Sequence, residues 1–271
     1  MAIWGPDAPP PDALPSIVVA PLRVLHWYDV FLLPLGAAIV TFLAGAVAVA
    51  LDWHFNAPGG VRLADWSLIA ASTVWFAYLA QVALYAGFIL TGVALLAFRG
   101  HRFSSAYFPR VRFGSALAAG GMGIVFALSF MGALMLLPAE TQQQLMEQSD
   151  LLLPSSAGEA LMFAAVAVLF APVAEELYFR GVLLRLLSAR LSFVWSAGVT
   201  ALLFSLSHGH LFALPGLGGW MLTAMLFAVG FVLAVFARVT GSLRAPAIMH
   251  GAYNAVLLGP SVLFAFVEMP A

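Results

Sequence analysis

The sequence contains no cysteine and no lysine, and only 8% of its 271 residues are charged. Without cysteine there are no disulfides, no thiolate metal sites and no cysteine nucleophile. The scarcity of charge excludes more. Soluble domains carry about 25% charged residues, whereas here 63% of residues are hydrophobic. No soluble fold of this size covers that much apolar surface, so lipid must solvate much of the chain. A formal net charge of −1 argues against nucleic acid as a partner. The N-terminal stretch MAIWGPDAPPPDALPSIVVAPLR lacks the basic start of a signal peptide. Residues 1–29 read as a tail leading into the first helix.

What is present is a series of long apolar runs. Crossing a bilayer takes about 20 residues, so the chain divides into an all-α polytopic bundle of about seven or eight transmembrane helices. The expected spans are residues 30–51, 66–98, 113–137, a fourth from 160 that meets Pro172 and continues as a second, more polar half, then 192–208, 219–237 and 246–267, the last with Pro260 placed to split it. The organisation follows as tail (1–29), N-terminal helices with a polar surface segment (30–157), and a C-terminal membrane core (158–268). Residues 138–159 hold four acidic groups and no arginine, which suits a part-amphipathic helix on the membrane surface.

Arginine alone carries the topology. Seven alternating spans put ten of the eleven arginines on one side and leave Arg62 on the other. The positive-inside rule makes the arginine-rich side, and with it the N-terminus, cytoplasmic.

Charged side chains in a bilayer core are costly and point to function. The first such cluster is Glu175, Glu176 and Arg180 in APVAEELYFRG. Glu176 and Arg180 are four apart and share a helix face, while Glu175 points about 100° away. One carboxylate is thus neutralised and the other left available. The second cluster is FSLSHGH, with His208 four residues after Phe204; the third is HGAYN, with His250 and Asn254 four apart on one face. A carboxylate and a histidine can share and deprotonate a water, and an imidazole with a carboxamide can hold the oxygen of an attacked carbonyl. Each cluster also has a plainer role: a helix–helix ion pair, interfacial histidines, or interhelical hydrogen bonding. Three together against an almost uncharged background favour hydrolysis of a peptide bond.

With EELYFRG, FSLSH and TGSLRAPAIMHGAYN in this order, the stretch from about residue 160 to 258 resembles the CPBP family: type II CAAX prenyl endopeptidases and their bacterial relatives, also called the ABI family. That family's pattern is EExxxR, then FxxxH, then HxxxN. The resemblance implies an intramembrane endopeptidase. It implies Glu175 as general base with His208 assisting, His250 and Asn254 as the oxyanion pair, and Glu176 with Arg180 as structural or substrate-orienting. A zinc held by Glu175, His208 and His250 stays open as an alternative. The metal-free arrangement is favoured because Glu175 as a ligand would leave no unpaired carboxylate as base. The expected partners are the lipid bilayer and a membrane-embedded or lipid-linked peptide or protein substrate. Arginine in place of lysine, with high alanine, suits a GC-rich bacterial genome and its cytoplasmic membrane, where prenylated substrates are not expected. The rival functions are a proton-coupled transporter and a non-catalytic bacteriocin-immunity or scaffold protein on the same fold.

One consistency condition follows from counting about 1.5 Å per helical residue. Glu175 and His208 fall near mid-membrane or beyond, and His250 much shallower. For them to meet, the turn RVTGSLRAP must dip into the membrane or the spans must tilt.

Overall fold

The structure is a computed structural model that describes residues 25–150, 154, 156–214 and 216–267. Most of the expected tail lies outside the described residues. Among the described residues the chain is helical, with no strand. In lipid every backbone polar group must be satisfied within its own segment, and long apolar runs can only do this as helices. The helices are α1 (Asp29–Asn56), α2 (Leu63–Ala71), α3 (Val74–Phe98), α4 (Phe103–Tyr107), α5 (Phe113–Met135) and α6 (Ala139–Asp150). They continue as α7 (Ala157–Ser188), α8 (Phe193–Ser207), α9 (His210–Ala213), α10 (Leu217–Thr240) and α11 (Arg244–Val267).

Five of these, α1, α3, α5, α7 and α10, are long and apolar enough to cross a membrane. The protein is an all-α integral membrane bundle. In α1 only 11% of the most apolar stretch is buried inside protein, against 44% in α10. The first faces lipid and the second is central. The segment expected at the membrane surface begins with the polar helix α6.

Two expectations about the spans change. The run 66–98 is two helices, because the Ser72 and Thr73 hydroxyls bond back to the carbonyls of Ile69 and Ala70 and end α2. Pro260 does not split the last span, since α11 runs through it. The fourth span continues through Pro172 as one helix of 32 residues, and wide π-helical turns at Val166–Phe170 and Leu177–Leu183 absorb the irregularity.

The helices pack in pairs: α1 antiparallel to α3, α8 antiparallel to α10, and α5 parallel to α11. Asp29, fully buried at the start of α1, receives both terminal nitrogens of Arg99 just beyond α3, each at 2.7 Å. That bidentate pair fixes the register of α1 on α3. Close approach of α5 to α11 depends on Gly123, where a Cβ would collide with the carbonyl of Met249 and lie 3.0 Å from the amide of Tyr253. Gly123→Ala is therefore expected to cost about 1–3 kcal/mol. The expected reading is a lower thermal unfolding midpoint in detergent, and an unchanged midpoint would contradict the packing.

The turn between α10 and α11 is buried within the protein. Ser242 and Leu243 are each 1% exposed. Leu243 N donates to Tyr107 O, Ser242 Oγ to Pro109 O and Arg244 Nε to Phe108 O, all at 2.8 Å. The turn is sunk beneath the segment 103–109 that follows α3. This lets α11 begin inside the protein and carry His250 to the cavity it shares with the other site residues.

Candidate active site

Glu175, His208, His250 and Asn254 line one cavity of about 250 Å³ between α3, α7, α8, α10 and α11. Local sequence explains how each arrives there. α8 has only 15 residues, about 22 Å at 1.5 Å per residue, too short to cross a bilayer of about 30 Å. It ends because Gly209 takes the left-handed conformation, φ 74°, which terminates a helix without a Cβ penalty. His208 is the last residue before that stop and stands exposed at the end of α8, on the rim of the cavity. Its Nδ1 lies 2.7 Å from Phe204 O. A carbonyl only accepts, so this hydrogen bond assigns the proton to Nδ1 and leaves Nε2 as an acceptor in the neutral ring.

Asn254 is placed by the irregularity of α7. The Ala171 amide bonds five residues back to Val166 O. The next bond in that series would come from residue 172, but Pro172 has no N–H. Ala167 O is left open and receives Asn254 Nδ2 at 2.7 Å. Gly251 lets α11 come this close, since a Cβ there would stand 2.8 Å from Val168 O. One of the two Asn254 N–H groups is thus committed to the fold, and the other is available to the cavity.

The two glutamates separate as their spacing predicts. Glu176 is fully buried and pairs with Arg180, Nη1 to Oε1 at 2.8 Å, while Arg180 Nη2 donates to Gly230 O at 2.8 Å. Arg180 also lies 4.6 Å above the Phe204 ring. Phe204 meets His208 and His250 edge-on at 4.7 and 5.6 Å. One fully buried phenylalanine therefore packs against both histidines and the arginine. Glu175 turns the other way. Its side chain keeps 19% exposure, into the cavity, and Oε1 accepts from Tyr85 at 3.3 Å. Its Oε2 has no hydrogen-bond partner.

His250 lies between the carboxylates. Nδ1 is 3.2 Å from Glu176 Oε1, and Nε2 is 3.8 Å from Glu175 Oε2. The first is a hydrogen bond and the second is too long for one. His250 and Asn254 line the same cavity, and each also has a structural partner, Glu176 and Ala167, that spacing did not reveal.

Polar cavity residues beyond the motifs include Gln81, Tyr85, His210 and Tyr253. Gln81 and Tyr85 come from α3, where no motif marks them. His210 begins α9 and stacks on His208 at 6.2 Å. Burial, and then the neighbouring His208, push His210 below its ordinary value, so it is neutral at pH 7. A second, apolar cavity of about 200 Å³ adjoins the first and shares Phe130, Val229 and Tyr253 with it. Among the described residues no three His, Cys, Asp or Glu side chains are grouped to hold a metal ion.

A family model described as type II CAAX prenyl endopeptidase Rce1-like matches residues 157–256. No curated protein and no solved structure matches the chain.

Proposed function

Through residues 157–256 the chain belongs to the Rce1-like family of type II CAAX prenyl endopeptidases, a family of membrane proteases, and from that premise we propose that it is a glutamic intramembrane endopeptidase that hydrolyses peptide bonds without a metal. The observation that carries this reading is the unpartnered Oε2 of Glu175, which belongs to a carboxylate facing the cavity and stands 3.8 Å from His250 Nε2. A buried orphan oxygen calls for a water or a ligand.

In this mechanism a water bound at Oε2 gives its proton to Glu175, with His208 Nε2 accepting the water's second hydrogen bond. The hydroxide adds to the substrate carbonyl carbon. The resulting oxyanion is met by the free N–H of Asn254 and by the Nε2 side of His250, whose Nδ1 is held on Glu176. Collapse breaks the C–N bond, and the proton on Glu175 passes to the leaving amine. Water and peptide give one carboxylic acid and one amine. Fixed donors in a dry cavity are worth most where charge develops.

The apolar chamber beside the cavity supports a membrane-embedded or lipid-linked peptide as substrate; the absence of a prenyl requirement rests on the bacterial composition alone. Arg99, Arg185 and Arg244 all gather around the segment 99–108, whereas Arg62 pairs with Asp65 in the α1–α3 connection. This supports an orientation with the arginine-rich end in the cytoplasm of a bacterium.

The test is cleavage of an internally quenched apolar peptide by purified protein in vesicles. Wild type should cut it, and His208→Ala should lose about 10²–10⁴-fold in rate while unfolding at the wild-type temperature. An inactive wild type, or a fully active His208→Ala, overturns the proposal.

A further inference from the structure

Helix α3 lies wholly outside the stretch matched by the family, yet it forms one wall of the cavity. Its 25 residues include no charged side chain. Two of its polar side chains, Gln81 and Tyr85, line the cavity. They are four residues apart and so share a face of the helix.

Tyr85 reaches Glu175 across a sequence distance of 90 residues and donates to Oε1. It thereby selects which carboxylate oxygen stays free. Gln81 is exposed and forms no hydrogen bond to another described residue. An unpartnered carboxamide on a membrane-spanning helix is costly unless the cavity supplies its partner. The carboxamide presents a donor beside an acceptor, the complement of a peptide unit. Four residues separate it from Tyr85, a rise of about 6 Å, and an extended peptide advances about 3.3 Å per residue. Gln81 therefore meets a substrate backbone roughly two residues from the bond that Glu175 addresses.

We propose that α3 is part of the active site, with Tyr85 as the positioning residue that holds the Glu175 carboxylate and Gln81 as the group that docks the backbone of the peptide substrate. The assignment rests on the protease reading above and extends the site beyond the family core. It makes opposite kinetic demands on the two side chains. A hydrogen bond to the base acts on the chemical step, and a backbone contact distant from the scissile bond acts equally on bound substrate and transition state.

The experiment measures kcat and KM for the full-length protein in vesicles with the same quenched peptide. Tyr85→Phe keeps the ring and removes only the hydroxyl. It should lower kcat roughly ten- to a hundredfold and leave KM within about twofold. Gln81→Met should raise KM about tenfold and leave kcat within about twofold. Thermal midpoints should stay at the wild-type value. Wild-type kinetics in both variants overturn the proposal, as does a joint loss of both parameters with a fallen midpoint, which would mean that α3 only packs. A wild type that cleaves nothing removes the protease reading and this one with it, whereas an active wild type with unaltered variants removes this one alone.

Discussion

Glu175→Gln should abolish peptide cleavage, by at least about 10²–10⁴-fold, in a protein that unfolds at the wild-type temperature. The substitution is close to isosteric. Its carbonyl oxygen can still accept from the Tyr85 hydroxyl, which now bonds Oε1. The amide nitrogen replaces an oxygen that is already buried without a partner, so the change adds no new unsatisfied polar group of the kind that makes core substitutions destabilising. What disappears is the basic lone pair on Oε2 that has no protein partner. Cleavage of the quenched peptide and thermal unfolding, measured on one preparation, check both halves of the prediction. Activity within about twofold of wild type would remove Glu175 from the role of base. The same variant separates enzyme from non-catalytic protein: a biological phenotype that survives it belongs to a scaffold or immunity function.

Much of this arrangement is legible in sequence because membrane chemistry makes polar residues conspicuous. Glu175, Glu176, Arg180, His208, His250 and Asn254 stand out against apolar runs, and i,i+4 spacing pairs Glu176 with Arg180 as the structure does. The boundaries of α5, α8 and α10 also follow from apolar length. The misses along the spans have one common cause. Wherever side chains bond to backbone, hydropathy is blind. Ser72 and Thr73 end a helix inside an apolar run through their hydroxyls. Pro172 leaves a carbonyl that is repaired by Asn254, 87 positions away, so the helix widens and does not break. The sunken turn at 241–243 is held by carbonyls of residues 107–109, which a count of residues per span registers only as a mismatch of depth. Tyr85 and Gln81 escaped for a different reason: a tyrosine and a glutamine in an apolar helix carry no charge, and only the tertiary fold brings them to Glu175.

Breaking the Glu176–Arg180 pair should have the largest effect on stability. Both side chains are fully buried, and the pair is linked at 2.8 Å. Glu176→Leu leaves a guanidinium with Gly230 O and the Phe204 ring as its remaining partners. Arg180→Leu leaves an unpaired carboxylate beside His250. Either single change strands a buried charge and is expected to cost about 3–5 kcal/mol. Replacing both by methionine removes the stranded charge together with its partner, and such double replacements are often neutral or stabilising. The double variant should therefore unfold close to the wild-type midpoint, well above either single variant. Its activity should not recover, because His250 Nδ1 loses the Glu176 oxygen that fixes the ring. A stable but impaired double variant would show that the pair's functional value lies in orienting His250, not in holding the helix together. A double variant as unstable as the singles would show that the ion pair itself contributes the stability. Full activity in a stable double variant would take His250 orientation out of the mechanism.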